Sequence, residues 1–61
     1  MAALKLFLVD DHAVVRSGIR LLLESRSGFR VVGEADSGEA ALARVPALEP
    51  DVVLLDLTLP G

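Results

Sequence analysis

The sequence predicts an α/β fold, three parallel strands alternating with two helices in the order β-α-β-α-β. Three observations carry this. Two apolar runs of strand length, Leu4–Val9 and Val52–Leu55, lie towards opposite ends of the chain. A third Val-containing run, Phe29–Ala35, lies between them, and each gap holds a segment with helical spacing. Crossovers of that length demand parallel strands and are right-handed by overwhelming rule.

The first strand reads Leu-Lys-Leu-Phe-Leu-Val. Only Lys5 interrupts it, as expected of a parallel strand covered on both faces. It runs out at Asp10-Asp11-His12. From residue 13 to about 25 the spacing is helical: Val15, Ile19, Leu22 and Leu23 share one face. Arg16, Arg20 and Glu24 fall mostly on another, which reads as solvated, and the Leu21-Leu22-Leu23 run reads as core. Asp11 or His12 stands before the first turn, where an aspartate can cap free backbone N–H groups. Gly18 either costs about 1 kcal/mol of helix propensity or permits close helix–sheet approach. Ser27-Gly28 is a stop signal, with Gly28 suited to a left-handed C′ position.

The second strand, Phe29–Ala35, carries Arg30 and Glu34 and so fits a sheet edge. Asp36-Ser37-Gly38-Glu39 opens the second helix; Asp36 with Glu39 resembles a capping box, and Ser37 is an equally good cap. Ala40, Ala41, Leu42, Val45 and Leu48 supply its buried face. Pro46 lacks an N–H and disfavours helix at Val45, so the helix is expected to end or kink near Arg44 and Val45. Pro50-Asp51 leads into Val52–Leu55, whose unbroken apolar character reads as a strand buried on both faces. That strand ends in Asp56, and Pro60-Gly61 follow.

Composition narrows the classes. With 61 residues the chain is at most one small domain. Such a chain buries only about 60% of the surface its unfolded form exposes. It has no cysteine, hence neither a disulfide framework nor a thiolate metal site. A hydrophobic fraction of 52% is high for this length and points to self-association or to part of a larger unit. A net charge of −3 and a pI near 4.8 argue against nucleic-acid binding by the chain itself. No apolar run approaches the roughly 18 residues of a membrane span. No secretory signal is apparent. A cytoplasmic protein without a membrane partner is expected.

The chemistry lies in the aspartates. Asp10 and Asp11 follow one strand and Asp56 ends another. In open α/β sheets the ligand crevice lies beyond the carboxyl ends of the strands. If these strands are neighbours, three carboxylates converge and repel one another unless a hard cation sits among them. Mg2+ suits one or two carboxylates with waters and a phosphoryl oxygen. A carboxylate left free beside it can attack phosphorus to form an acyl phosphate.

Leu8-Val9-Asp10-Asp11-His12, Arg16-Ser17-Gly18-Ile19-Arg20, Val31-Val32-Gly33-Glu34-Ala35, Gly38-Glu39-Ala40-Ala41-Leu42 and Pro50 through Gly61 occur in this order and spacing. Together they resemble the first half of a response-regulator receiver domain of two-component signalling. The resemblance covers essentially the whole chain. It looks most like the class whose output domain is a helix-turn-helix DNA binder. It implies a partial flavodoxin-like fold with strand order 2-1-3, residues 1–61 being the N-terminal part of one receiver domain. It implies Asp56 as the acceptor of a phosphoryl group from a histidine kinase. Asp10 and Asp11 would hold Mg2+, with Asp56 and the backbone carbonyl of Thr58. His12 inherits no role. Such a module is a phosphoacceptor with at most autophosphorylation and autodephosphorylation chemistry, and DNA would be reached only through an output domain outside this chain.

Departures from the family qualify this. Its receivers run to about twice this length and have five strands, with a switch Ser or Thr after the fourth and a Lys after the fifth. Those positions have no counterpart here, and Lys5 lies inside the first strand. The strand Val52–Leu55, central in the family, would then be an exposed apolar edge inviting self-association. A non-signalling half-domain that self-associates is therefore the alternative function. A haloacid-dehalogenase-like hydrolase fits poorly: its acid–base Asp would stand at position 58, which is Thr58.

Overall fold

A computed structural model describes residues 3–55. The elements are β1 (Leu4–Val9), α1 (Ala13–Glu24), β2 (Phe29–Ala35), α2 (Gly38–Leu48) and β3 (Val52–Leu55). The strands form one parallel sheet in the order β2-β1-β3, as the resemblance implies.

β1 is the centre of the molecule. Leu6, Phe7, Leu8 and Val9 are all buried, as residues on both faces of a covered parallel strand must be. Phe7, Val9, Ala35 and Ala41 form the core on one face, with Ala40, Val45 and Leu48 packed against them. The ladder to β2 is irregular. Leu6 pairs with Val31 and Phe7 with Gly33, so Val32 is an extra residue, a bulge. Gly33 therefore lies beside Phe7. A Cβ there would come within 2.7 Å of Leu48 Cδ1 and 2.8 Å of the Phe7 ring, so α2 can seat this closely only over a glycine.

The helix ends differ from expectation in several places. α1 ends at Glu24 and is capped by Ser25, whose hydroxyl donates to the Leu22 carbonyl at 2.7 Å. The Arg26 N–H tightens the turn by donating to Leu23. Gly28 is left-handed (φ +102°) but lies three residues past that cap, where it delivers its carbonyl to the Leu4 N–H. A Cβ on Gly18 would meet nothing, so close approach is not its purpose. Ser37, not Asp36, caps α2, its Oγ accepting from Ala40 N–H at 3.2 Å.

α2 does not end at Val45. It runs through Pro46 to Leu48 and closes on a left-handed Glu49 whose N–H donates to the Val45 carbonyl. Pro46 forfeits one backbone hydrogen bond late in the helix, and continuing seats both Val45 and Leu48 on the core. The return to β3 is tied down by Asp51, whose carboxylate accepts the Lys5 N–H and whose own N–H donates to the Lys5 carbonyl.

Two expected core segments are exposed. No residue of α1 is buried, and Leu21 and Leu22 keep 71% and 68% of their surface, because α1 lies on the sheet with no further described layer outside it. β3 is also exposed along its length, since it pairs with β1 on one side only among the described residues. Among the described residues no helix is long and apolar enough to cross a membrane.

Candidate acidic site at the carboxyl ends of the strands

The ladder continues one residue past β1: the Asp10 N–H donates to the Ala35 carbonyl at 3.1 Å. That bond pulls the Asp10 side chain under cover, leaving it only 8% exposed. Its Oδ1 accepts the His12 N–H at 2.8 Å, a side-chain-closed turn that carries the chain from strand to helix. His12 occupies the N-cap position with extended backbone and makes no side-chain cap; its carbonyl accepts the first helical bond, from Arg16. Asp11 does not cap the helix. Its Oδ1 lies 2.7 Å from Nδ1 of His12, which is 3.5 Å from Asp10 Oδ1.

Asp10, Asp11 and His12 thus offer ligand atoms within 4.8 Å of one another. The donor set suits a hard cation. Two carboxylates supply the oxygen, one of them from under cover. An apolar groove of about 310 Å³ opens beside Asp10, between α1 and β3, lined by Leu8, Val9, Val15, Ile19, Leu54 and Leu55.

A second constellation supports the turn from behind. Glu34, on β2, is gripped by α1: Arg16 Nε donates to its Oε1 at 2.9 Å and Arg20 Nη1 to its Oε2. Arg16 Nη1 also donates to the Asp10 carbonyl at 2.6 Å. Arg20 Nε reaches Glu24 at 3.2 Å. Its hydrogen bond to Glu34, and then that to Glu24, raise the Arg20 guanidinium above the usual arginine value. On the other face Arg44 Nη1 donates to the Glu34 carbonyl, and its guanidinium lies 5.8 Å from the Phe7 ring centroid. Arg16 and Arg20 are therefore not a merely solvated face. The sequence held a signal for this in two arginines at i and i+4 and one glutamate on an otherwise apolar strand, but their meeting depends on a bulge that spacing does not reveal.

Asp56 and Thr58 lie outside the described residues. β1 and β3 pair in register up to Val9 with Leu55, after which the sequence continues into Asp10 on one strand and Asp56 on the other.

A three-strand parallel sheet of order 2-1-3, flanked by helices and carrying carboxylates where its central strand runs out, defines a flavodoxin-like α/β module. The model of the response regulator receiver domain matches residues 6–61, and the chain belongs to that family. It is 50% identical over 58 residues to the response regulator GacA of Pseudomonas syringae. It is 57% identical over 56 residues to the DNA-binding transcriptional activator DevR/DosR of Mycobacterium tuberculosis. These matches cover 95% and 92% of this chain but 27% and 26% of the relatives, so the chain spans about a quarter of their length. Among solved structures, the receiver domain of the response regulator NarL from M. tuberculosis superimposes with a TM-score of 0.91 at 41% identity, over 100% of this chain and 49% of that one. A LuxR-family two-component response regulator from an Aurantimonas species does so with a TM-score of 0.90 at 45% identity, over 98% and 43%. The chain thus belongs to the receiver part of the response regulators of two-component signalling.

Proposed function

We propose that residues 1–61 form the N-terminal part of a single receiver domain that takes a phosphoryl group from a histidine kinase onto Asp56. The observation that supports this most is the covered carboxylate of Asp10 at the end of β1, one residue beyond the rung that pairs Val9 with Leu55, the residue preceding Asp56. Asp10, Asp11, Asp56 and the backbone carbonyl of Thr58 would hold Mg2+. When bound, the cation supplies charge neutralisation and alignment for the transferring group. The chain's own part is simple: an Asp56 oxygen attacks phosphorus, the P–N bond to the kinase imidazole breaks, and that imidazole leaves carrying the electron pair and takes up a proton. Transcription would be controlled from the cytoplasm, with DNA reached through an output domain outside residues 1–61; the similar DevR/DosR is a DNA-binding transcriptional activator.

The test is an intact-mass spectrum after incubation with a small acyl-phosphate donor, with and without Mg2+. One phosphoryl adduct is expected, dependent on Mg2+ and lost in Asp56→Asn. An adduct that survives Asp56→Asn rejects the assignment.

A second reading rests on β3. Its four residues are 40–57% exposed and its outer edge is unpaired among the described residues, which suits pairing with a second copy. It predicts a concentration-dependent dimer in sedimentation, abolished by a Lys at Val53.

A further inference from the structure

Arg16 differs from the other arginines in what it holds. Its Nη1 fastens the Asp10 carbonyl at 2.6 Å while its Nε fastens Glu34 at 2.9 Å, so one planar group ties α1 to the carboxyl ends of both β1 and β2. Its side chain is 20% exposed, against 45% for Arg20. Glu34 is itself immobilised, by Arg20 at its carboxylate and Arg44 at its carbonyl. Asp10 is consequently pinned on both sides of its Cα, by the Ala35 carbonyl on its N–H and by Arg16 on its C=O. The turn whose closure presents the carboxylates begins at that pinned peptide.

We propose that Arg16 is a positioning residue for cation binding at Asp10 and Asp11, acting through the Asp10 carbonyl and Glu34 without touching the ion. The inference rests on the cation reading above. Ordering a turn at the moment of binding weakens affinity, and a turn ordered in advance avoids that loss. A guanidinium can hold two acceptors in fixed directions at once, which an ammonium cannot. Arg16 also carries positive charge beside a site that would take a cation, and by Coulomb's law that charge alone opposes binding. The two effects have opposite signs, so a variant separates them. Loss of charge tightens binding; loss of support loosens it. Residues that support metal ligands from behind typically change affinity by about 10- to 100-fold, and the double attachment of Arg16 puts it in that range.

The experiment is an Mg2+ titration of the full-length chain, followed by backbone amide shifts, in the wild type, Arg16→Ala, Arg16→Lys and Arg20→Ala. Arg16→Ala is expected to weaken Mg2+ binding by about 10- to 100-fold. Arg16→Lys keeps the charge and should recover only part of this, and Arg20→Ala, which removes equal charge without freeing the Asp10 carbonyl, should change little. Hydrogen exchange at the His12 amide should accelerate in Arg16→Ala and not in Arg20→Ala, a local signature that general destabilisation would not produce. Binding in Arg16→Ala as tight as the wild type, or tighter, overturns the proposal. If that variant does not fold, Arg16→Lys decides: unchanged affinity overturns it and weakened affinity supports it. A wild type whose Asp10 and Asp11 amides ignore Mg2+ rejects the cation reading itself, and is recognised without any variant.

Discussion

Beneath α2, Phe7 and Val9 are sealed by Ala40, Ala41, Val45 and Leu48, whereas beneath α1 no helix residue is buried and Val15 and Ile19 stay 50% and 36% exposed. Apolar content does not explain the difference. α1 carries Val14, Val15, Ile19 and three leucines, more large apolar side chains than α2. Seating explains it. α2 presents alanines to the sheet and meets a glycine there, so backbone and side chains interlock closely. α1 is held instead by arginines reaching down to Glu34 and Asp10, over an open groove. One face is closed by packing and the other by polar ties, and ties between partly exposed ions stabilise far less than a filled core.

That contrast can be broken or sharpened by substitution, read as unfolding free energy from denaturant titration. Phe7→Ala removes the most deeply buried ring under α2 and should cost about 3–5 kcal/mol. Gly33→Ala drives a methyl into Leu48 and Phe7, an overpacking expected to cost about 1–3 kcal/mol. Leu21→Gln, on the exposed side of α1, should stay within about 0.5 kcal/mol. A loss at Leu21 equal to that at Phe7 would mean that both faces are packed alike.

Much of the fold was legible because strand length, helical spacing and stop residues are local properties. All five elements occur in the order that spacing puts them, with only α2 running past its expected end to Leu48, and parallel pairing followed from the crossover lengths. The errors share a cause. Pro46 as a terminator, Leu21 and Leu22 as core and Arg16 with Arg20 as solvated were each judged from one element alone. In the structure, Leu48 gains by packing beyond the proline, the leucines have no outer layer, and the arginines find a carboxylate on another element. Of the candidate site, the place of Asp10 and Asp11 just past β1 was legible, because the change from an apolar run to acidic residues marks where a buried strand ends. His12 stands before the first turn as expected, exposed and at the N-cap; its proximity to both carboxylates arises from the turn that Asp10 closes.

The surplus residue in β2 has a consequence for how that strand tolerates change. Counting alternately from Val31 assigns Gly33 to the same side as Val31 and Glu34 to the other. Val32 shifts the phase by one step, so Val31 and Glu34 follow Leu6 and Leu8, while Gly33 and Ala35 follow Phe7 and Val9. Upstream of the shift, odd-numbered positions serve α1; downstream, even-numbered ones do. A pattern-based alignment or redesign that carries a single parity through the strand would send a charged side chain into the α2 core and an apolar one towards the arginines.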